Sequence, residues 1–117
     1  MKIIKIMLIS FGLSTVVISN YTYAANVRLF VRHTVSDFKV WQKGYDSFAP
    51  MQKQAGVFHK AVYQSIDNPN DVTVIHDFHS LEQAKAFISS KSLVEAMASD
   101  GVQGKPEMWI TTITEKK

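Results

Sequence analysis

The sequence contains no cysteine. That removes disulfides, thiol nucleophiles and thiolate metal sites, and with them the acylated cysteine of a lipid-anchored protein. Glycine and proline are scarce, 5 and 3 residues of 117, and no stretch reads as a linker, a repeat or a low-complexity tract. Positive charge is not concentrated anywhere beyond Lys116-Lys117. A nucleic-acid partner is therefore not expected, because it needs a dense basic face. Motifs of strong chemistry are missing too: there is no glycine-rich phosphate loop, no HExxH pair and no nucleophile elbow.

Long apolar runs are also lacking, with one exception. Ile6 to Ile18 is almost wholly apolar and uncharged, but its 13 residues fall short of the roughly 20 that cross a bilayer. Lys2 and Lys5 precede it. Thr22 and Ala24 put small residues at the −3 and −1 positions of a cut after Ala24, with Ala25 the next choice. The expectation is a signal peptide over residues 1–24 and one domain over residues 25–117, periplasmic or secreted, with no membrane attachment after cleavage. An uncleaved anchor is the competing reading. Cleavage removes two lysines and no acid, so 11 basic residues face 10 acidic ones and the formal charge falls from +3 to +1. A domain this small buries a modest core and gains from a partner subunit.

What is present reads as β-α-β-β-α-β. Asn26 to Thr34 alternates, Val27, Leu29 and Val31 against Arg28 and Arg32, which is the period of a half-buried strand. Ser36-Asp37 opens a helix, with Ser36 expected as its N-cap. Phe38, Trp41, Tyr45 and Phe48 follow at spacings of three, four and three, one stripe on a helix that Pro50 interrupts and Gly56 ends. Val57–Ile66 and Val72–Phe78 read as strands around the turn-forming Asp67-Asn68-Pro69-Asn70-Asp71. Ser80 caps a second helix with Leu81, Ala84, Phe87 and Ile88 inward. Ser89 to Ser92 breaks it, Leu93 to Ala98 adds a short turn, and Glu107–Thr114 closes the sheet after a Gly104-Lys105-Pro106 connection. The fold class is α+β, ferredoxin-like, a four-stranded antiparallel sheet with its helices on one face. The opposite face, carrying Arg28, Phe30 and Arg32, is expected to be covered by a second copy in a homodimer.

Several segments together resemble a known group. Val31 to Phe38, Trp41, Tyr45-Asp46-Ser47-Phe48, Gly56-Val57, Asp67 to Val72, Ala84 to Phe87 and Gly101 to Pro106 are similar to small proteins of the dimeric α/β-barrel superfamily, above all antibiotic biosynthesis monooxygenase domains. The resemblance covers nearly all of residues 25–117. It implies a dimeric α/β barrel and, among the activities of that superfamily, a cofactor-free oxygenase acting on a small hydrophobic or aromatic molecule; the competing reading is a non-catalytic ligand-binding or stress-related dimeric barrel. An export signal sets this chain apart from most such proteins.

The candidate site lies between the first helix and the sheet. His33 ends the first strand on the Val27-Leu29-Val31 face, and His76 shares a face with Val72, Val74 and Phe78; both are candidate catalytic residues, since imidazole titrates near neutrality. For each, the competing reading is a hydrogen-bonded core histidine. Trp41, Tyr45, Tyr63 and Trp109 are candidate substrate-binding residues, set against a simple core role. Asp37 either orients His33 or strengthens the helix start. No metal site is expected: His33 and His76 fall about 10 Å apart across neighbouring strands, and His76 and His79 point to opposite faces. No cofactor is expected.

Overall fold

A computed structural model describes residues 25–114; the signal-peptide expectation for residues 1–24 lies outside the described residues. The elements are β1 (Val27–Val35), α1 (Phe38–Ser47), α2 (Ala49–Ala55), β2 (His59–Gln64), β3 (Asp71–Phe78), α3 (Leu81–Ile88), α4 (Lys91–Ser99) and β4 (Val102–Thr112). The strands form one antiparallel sheet in the order β2-β3-β1-β4. This is the expected ferredoxin-like α+β topology. Among the described residues, no helix is long and apolar enough to cross a membrane.

The sheet's two faces follow from strand periodicity. On β1, Val27, Leu29, Val31, His33 and Val35 are buried, and on β3 Val72, Val74, His76 and Phe78 join them on the same side. Trp41 and Tyr45 of α1, Ala84 and Phe87 of α3 and Leu93 of α4 close this core. Each helix contributes a stripe at helical spacing, which is what lets a short amphipathic helix bury apolar area.

The helix starts are set by side chains that accept otherwise unpaired first-turn amides. At α1 the cap is Asp37, whose Oδ1 accepts the Val40 N–H at 3.1 Å, rather than Ser36. Ser36 is taken up instead in holding the chain to the end of α4, its N–H donating to the Gly101 carbonyl. Ser80 and Ser90 cap α3 and α4. Lys91 and Ser92 are therefore helical, where a break was expected. Pro50 sits in the first turn of α2, which separates α1 and α2 at Phe48. Gly56 ends α2 at φ 105°, a left-handed conformation that other residues adopt only with strain. Leu81, expected inward, is 39% exposed because it occupies the first turn beside the cap.

The strand bounds shift by one residue in β1 and β3 and by more in β2 and β4. β2 is shorter than Val57–Ile66, since the Val57 N–H is spent on the end of α2, on the Gln52 carbonyl. β4 starts at Val102 and includes Gly104, Lys105 and Pro106. Arg32 pairs with Glu107 but Thr34 pairs with Gln103, so three β4 residues stand opposite His33 alone. That irregularity lets a proline and a positive-φ glycine reside in an edge strand.

Asp37→Ala should lower stability by about 1 kcal/mol in urea denaturation, whereas Ser36→Ala should stay within about 0.5 kcal/mol of wild type. The reverse ranking would reassign the cap.

Candidate functional site

Beneath α1 the aromatic and imidazole rings form a continuous series. His33 meets Trp41 edge-on at 5.7 Å between centroids, Trp41 stacks on Tyr45 at 4.8 Å, Tyr45 lies 5.9 Å from His76, and His76 lies 5.3 Å from Phe87. Positions 41 and 45 are one helical turn apart, so their rings share a face. His33 and His76 reach that face from β1 and β3, with His33 paired to Val72 and His76 to Leu29. His33, His76, Trp41 and Tyr45 are thus brought to one pocket, together with Gln52, Met97 and Asp100.

Dryness sets the chemistry here. His76 is 3% exposed, and burial, helped by the nearby Lys60 ammonium, pushes its pKa down to about 4. Burial pushes the Tyr45 phenol up, only partly opposed by Gln52. The Tyr45 hydroxyl and His76 Nε2 are 2.9 Å apart and hydrogen-bonded. Both are therefore neutral at ordinary pH. Burial also lowers the pKa of His33, with the Asp71 carboxylate pulling the other way. The Nδ1 atoms of His33 and His76 and Nε2 of Gln52 are buried without a hydrogen-bond partner. Three unsatisfied buried polar atoms around one pocket are unusual for a core and leave hydrogen-bonding capacity for a guest.

The pocket is tight. Its cavity is only about 30 Å³. His33 is also reached from outside, where the irregular pairing of β1 and β4 opens a cleft that includes Arg32, Asp71, Lys105 and Glu107.

The other two aromatic candidates do not join this pocket. Trp109 pairs with Phe30 and Tyr63 with Thr73, which puts both on the opposite sheet face. Trp109 stacks on Phe30 at 5.1 Å and stays 44% exposed, and Tyr63 is 55% exposed. The period-two rule applied to β2 and β4 needs the register with the neighbouring strand, which no residue pattern there announces. On that same face Arg28 holds Asp77 through two hydrogen bonds of 2.7 and 2.9 Å, and Arg32 holds Asp71 likewise. Both arginines pair within the chain. His59 Nδ1 lies 3.0 Å from Asp77, and His79 stacks on Phe58 beyond the end of β3. Asp37 serves the helix start and leaves His33 alone. Among the described residues no three His, Asp or Glu side chains converge on a metal-sized site.

Two lining residues escape a first reading of the sequence. Gln52, 2% exposed, extends the 38-41-45-48 stripe by another four residues; the spacing was there, but Pro50 and an amide side chain disguise it. Asp100 reaches the pocket because Gly44 has no side chain to block it: a Cβ at 44 would collide with the Asp100 carboxylate. Nothing in the sequence links those two positions.

The lowered His76 pKa has a consequence for stability. The unfolded imidazole titrates near 6.5 and the folded one near 4. Between those values the unfolded chain binds more protons, so stability is complete above pH 6.5 and falls as pH drops toward 4. Each pH unit in that window should cost up to about 1.4 kcal/mol, and His76→Gln should flatten the slope. Denaturant titrations from pH 7.5 to 4.5 check this; an unchanged slope in the variant would place the buried charge cost elsewhere.

Comparison with known proteins adds the family of folds. No protein-family model matches the chain, and no curated protein matches its sequence. Solved structures do. A proposed antibiotic biosynthesis monooxygenase from Bordetella bronchiseptica is 15% identical, with 78% of this chain and 99% of that one covered and a TM-score of 0.67. SnoaB, a cofactor-independent oxygenase from Streptomyces nogalater, is 13% identical over 80% and 97%, with a TM-score of 0.65. A proposed antibiotic biosynthesis monooxygenase from Caulobacter crescentus is 14% identical over 83% and 97%, with a TM-score of 0.64. At these identities the likeness is one of fold: the chain has the ferredoxin-like α+β fold of the antibiotic biosynthesis monooxygenase-like proteins.

Proposed function

We propose that this chain is an exported, oxygenase-like protein that binds a small hydrophobic or aromatic molecule between α1 and the sheet. The observation that carries the reading is the neutral Tyr45–His76 hydrogen bond in a dry pocket walled by Trp41, with His33 at its other end. The two histidines have different tasks. A base with a pKa near 4 is too weak to remove a proton near neutrality, so His76 and Tyr45 serve as hydrogen-bond partners to a substrate oxygen. His33 is the base. A ring that gives up a proton to His33 leaves an anion, which the Tyr45 hydroxyl stabilises while dioxygen reacts.

The same fold supports a homodimer built on the bare sheet face. Trp109 and Tyr63 expose aromatic surface there, and Phe30 underlies Trp109. Aromatics are the residues that carry energy at such contacts. They fit this interface better than they fit the pocket. Two copies meeting by the same face form a closed pair.

A non-catalytic carrier of the same ligand is the second reading, favoured by the tightness of the pocket, which excludes solvent and with it proton exchange.

Oxygen uptake with a panel of reduced anthrones and quinols separates the two. Turnover that drops at least about 100-fold in His33→Ala is expected, with a pH limb lying below 6.5 because the His33 pKa is lowered. Uptake unchanged in both His33→Ala and His76→Ala removes the catalytic assignment. Sedimentation velocity at micromolar protein should show a dimer that Trp109→Glu dissociates; a wild-type species of monomer mass ends the dimer proposal.

A further inference from the structure

Gln52 stands between two spaces. It lines the pocket beneath α1, and it also lines a groove outside it, where Lys53, His59 and Lys60 surround an apolar floor of Val57 and Phe58. The pocket's cavity is about 30 Å³, whereas the groove, which opens to solvent, is about 530 Å³. An aromatic ring fits the groove and does not fit the pocket as it stands. A guest that reaches Tyr45 and Trp41 from the groove has to displace the Gln52 side chain.

Gln52 is held toward the groove by a charged contact. Lys60 Nζ donates to Gln52 Oε1 at 2.6 Å. The other end of the amide, Nε2, is buried without a hydrogen-bond partner. The Lys60 ammonium also lies 5.2 Å from the centre of the Tyr45 ring, so the cation is set directly over the aromatic pocket. Lys60 shares its sheet face with His76, to which it is paired across β2 and β3. Lys60 is nevertheless exposed as a residue and lines the groove, and its bond to Gln52 is only part-buried, so a ligand in the groove meets it from the solvent side. Among the described residues no carboxylate lines the groove, and Asp77 is already paired with His59 and Arg28.

We propose that Gln52 and Lys60 form a latch on the aromatic pocket, and that the ligands which open it are aromatic carboxylates. The carboxylate takes the Lys60 ammonium, a charge-assisted hydrogen bond replacing a neutral acceptor. Gln52 loses its bond to Lys60 and swings aside, and the ring passes beneath Tyr45 and Trp41. A neutral aromatic of the same size has nothing to offer Lys60 and must break the latch without replacing it. The ligand therefore shifts the closed–open balance only through its better contact with the open state. This inference rests on the aromatic-pocket reading above and adds to it the ligand's charge and the residue that reads it.

The test is isothermal titration of the full chain with 2-naphthoate, the neutral 2-naphthalenemethanol and acetate. Naphthoate should bind at least about tenfold more tightly than the alcohol, and acetate should bind far more weakly than either. Lys60→Met should abolish the preference and raise the affinity for the alcohol, because the latch is gone. Gln52→Ala should raise the alcohol's affinity and keep the carboxylate preference. Lys60 is exposed, so its variant keeps the test alive if Gln52→Ala fails to fold, which a circular-dichroism melt reports. Equal affinity for the two aromatics, or a preference that survives Lys60→Met, overturns the latch and leaves the pocket reading standing. Acetate binding as tightly as naphthoate reduces the site to a surface anion contact and overturns it too. No binding of either aromatic, even to Gln52→Ala, brings down the pocket reading and the latch together.

Discussion

The hydrogen bond between Tyr45 and His76 joins the first helix to the middle of the sheet at a buried point, and much else follows from that placement. Both groups are paired at 2.9 Å and both are pushed by burial away from ionisation, the phenol upward and the imidazole down to about 4. A charge on either would have to be paid for without solvent. The contact therefore ties α1 to the sheet and keeps both of its groups neutral, while His33 stands where the irregular β1–β4 pairing opens a cleft. Packing and reactivity here share one cause.

His76 and Asp77 show how sharply one residue of sequence divides the two faces. They are adjacent, and both are 3% exposed. His76 points inward among Leu29, Tyr45 and Phe87 and is neutral. Asp77 points outward; burial works to raise its pKa, but Arg28 and His59 more than offset that and hold the carboxyl below its usual range. A buried carboxylate survives because two donors satisfy it, while a buried imidazole survives by giving up its proton. The sheet thus has one apolar face closed over by helices and one that combines ion pairs with exposed aromatics.

The elements of the fold were legible because the relevant signals are local. Alternation in Val27–Val35, the 38-41-45-48 spacing and the turn cluster at 67–71 each depend on residues within a few positions of one another. Misreadings occurred where two local signals competed. Ser36 and Asp37 are both good caps, and Asp37 takes the role: it holds the extended backbone at the helix start and its carboxylate accepts the Val40 N–H. Gly104-Lys105-Pro106 looks like a connection by composition, yet it is strand, because an edge strand opposite a single unpaired position tolerates it. His33, Trp41, Tyr45 and His76 were placed together because each lies on an element whose buried face its own period reveals.

By itself the sequence determined the order of the elements, the aromatic stripe of α1 and the inward face of β1, since backbone geometry turns spacing into sidedness. Only the tertiary structure decided that Tyr63 and Trp109 belong to the outer face, that Asp100 reaches the pocket past Gly44, and that Gln52 and Lys60 meet at its mouth. Those facts depend on strand register and on which elements become neighbours. Contacts between residues far apart in the chain are fixed by how whole faces pack, and no short window of sequence encodes that.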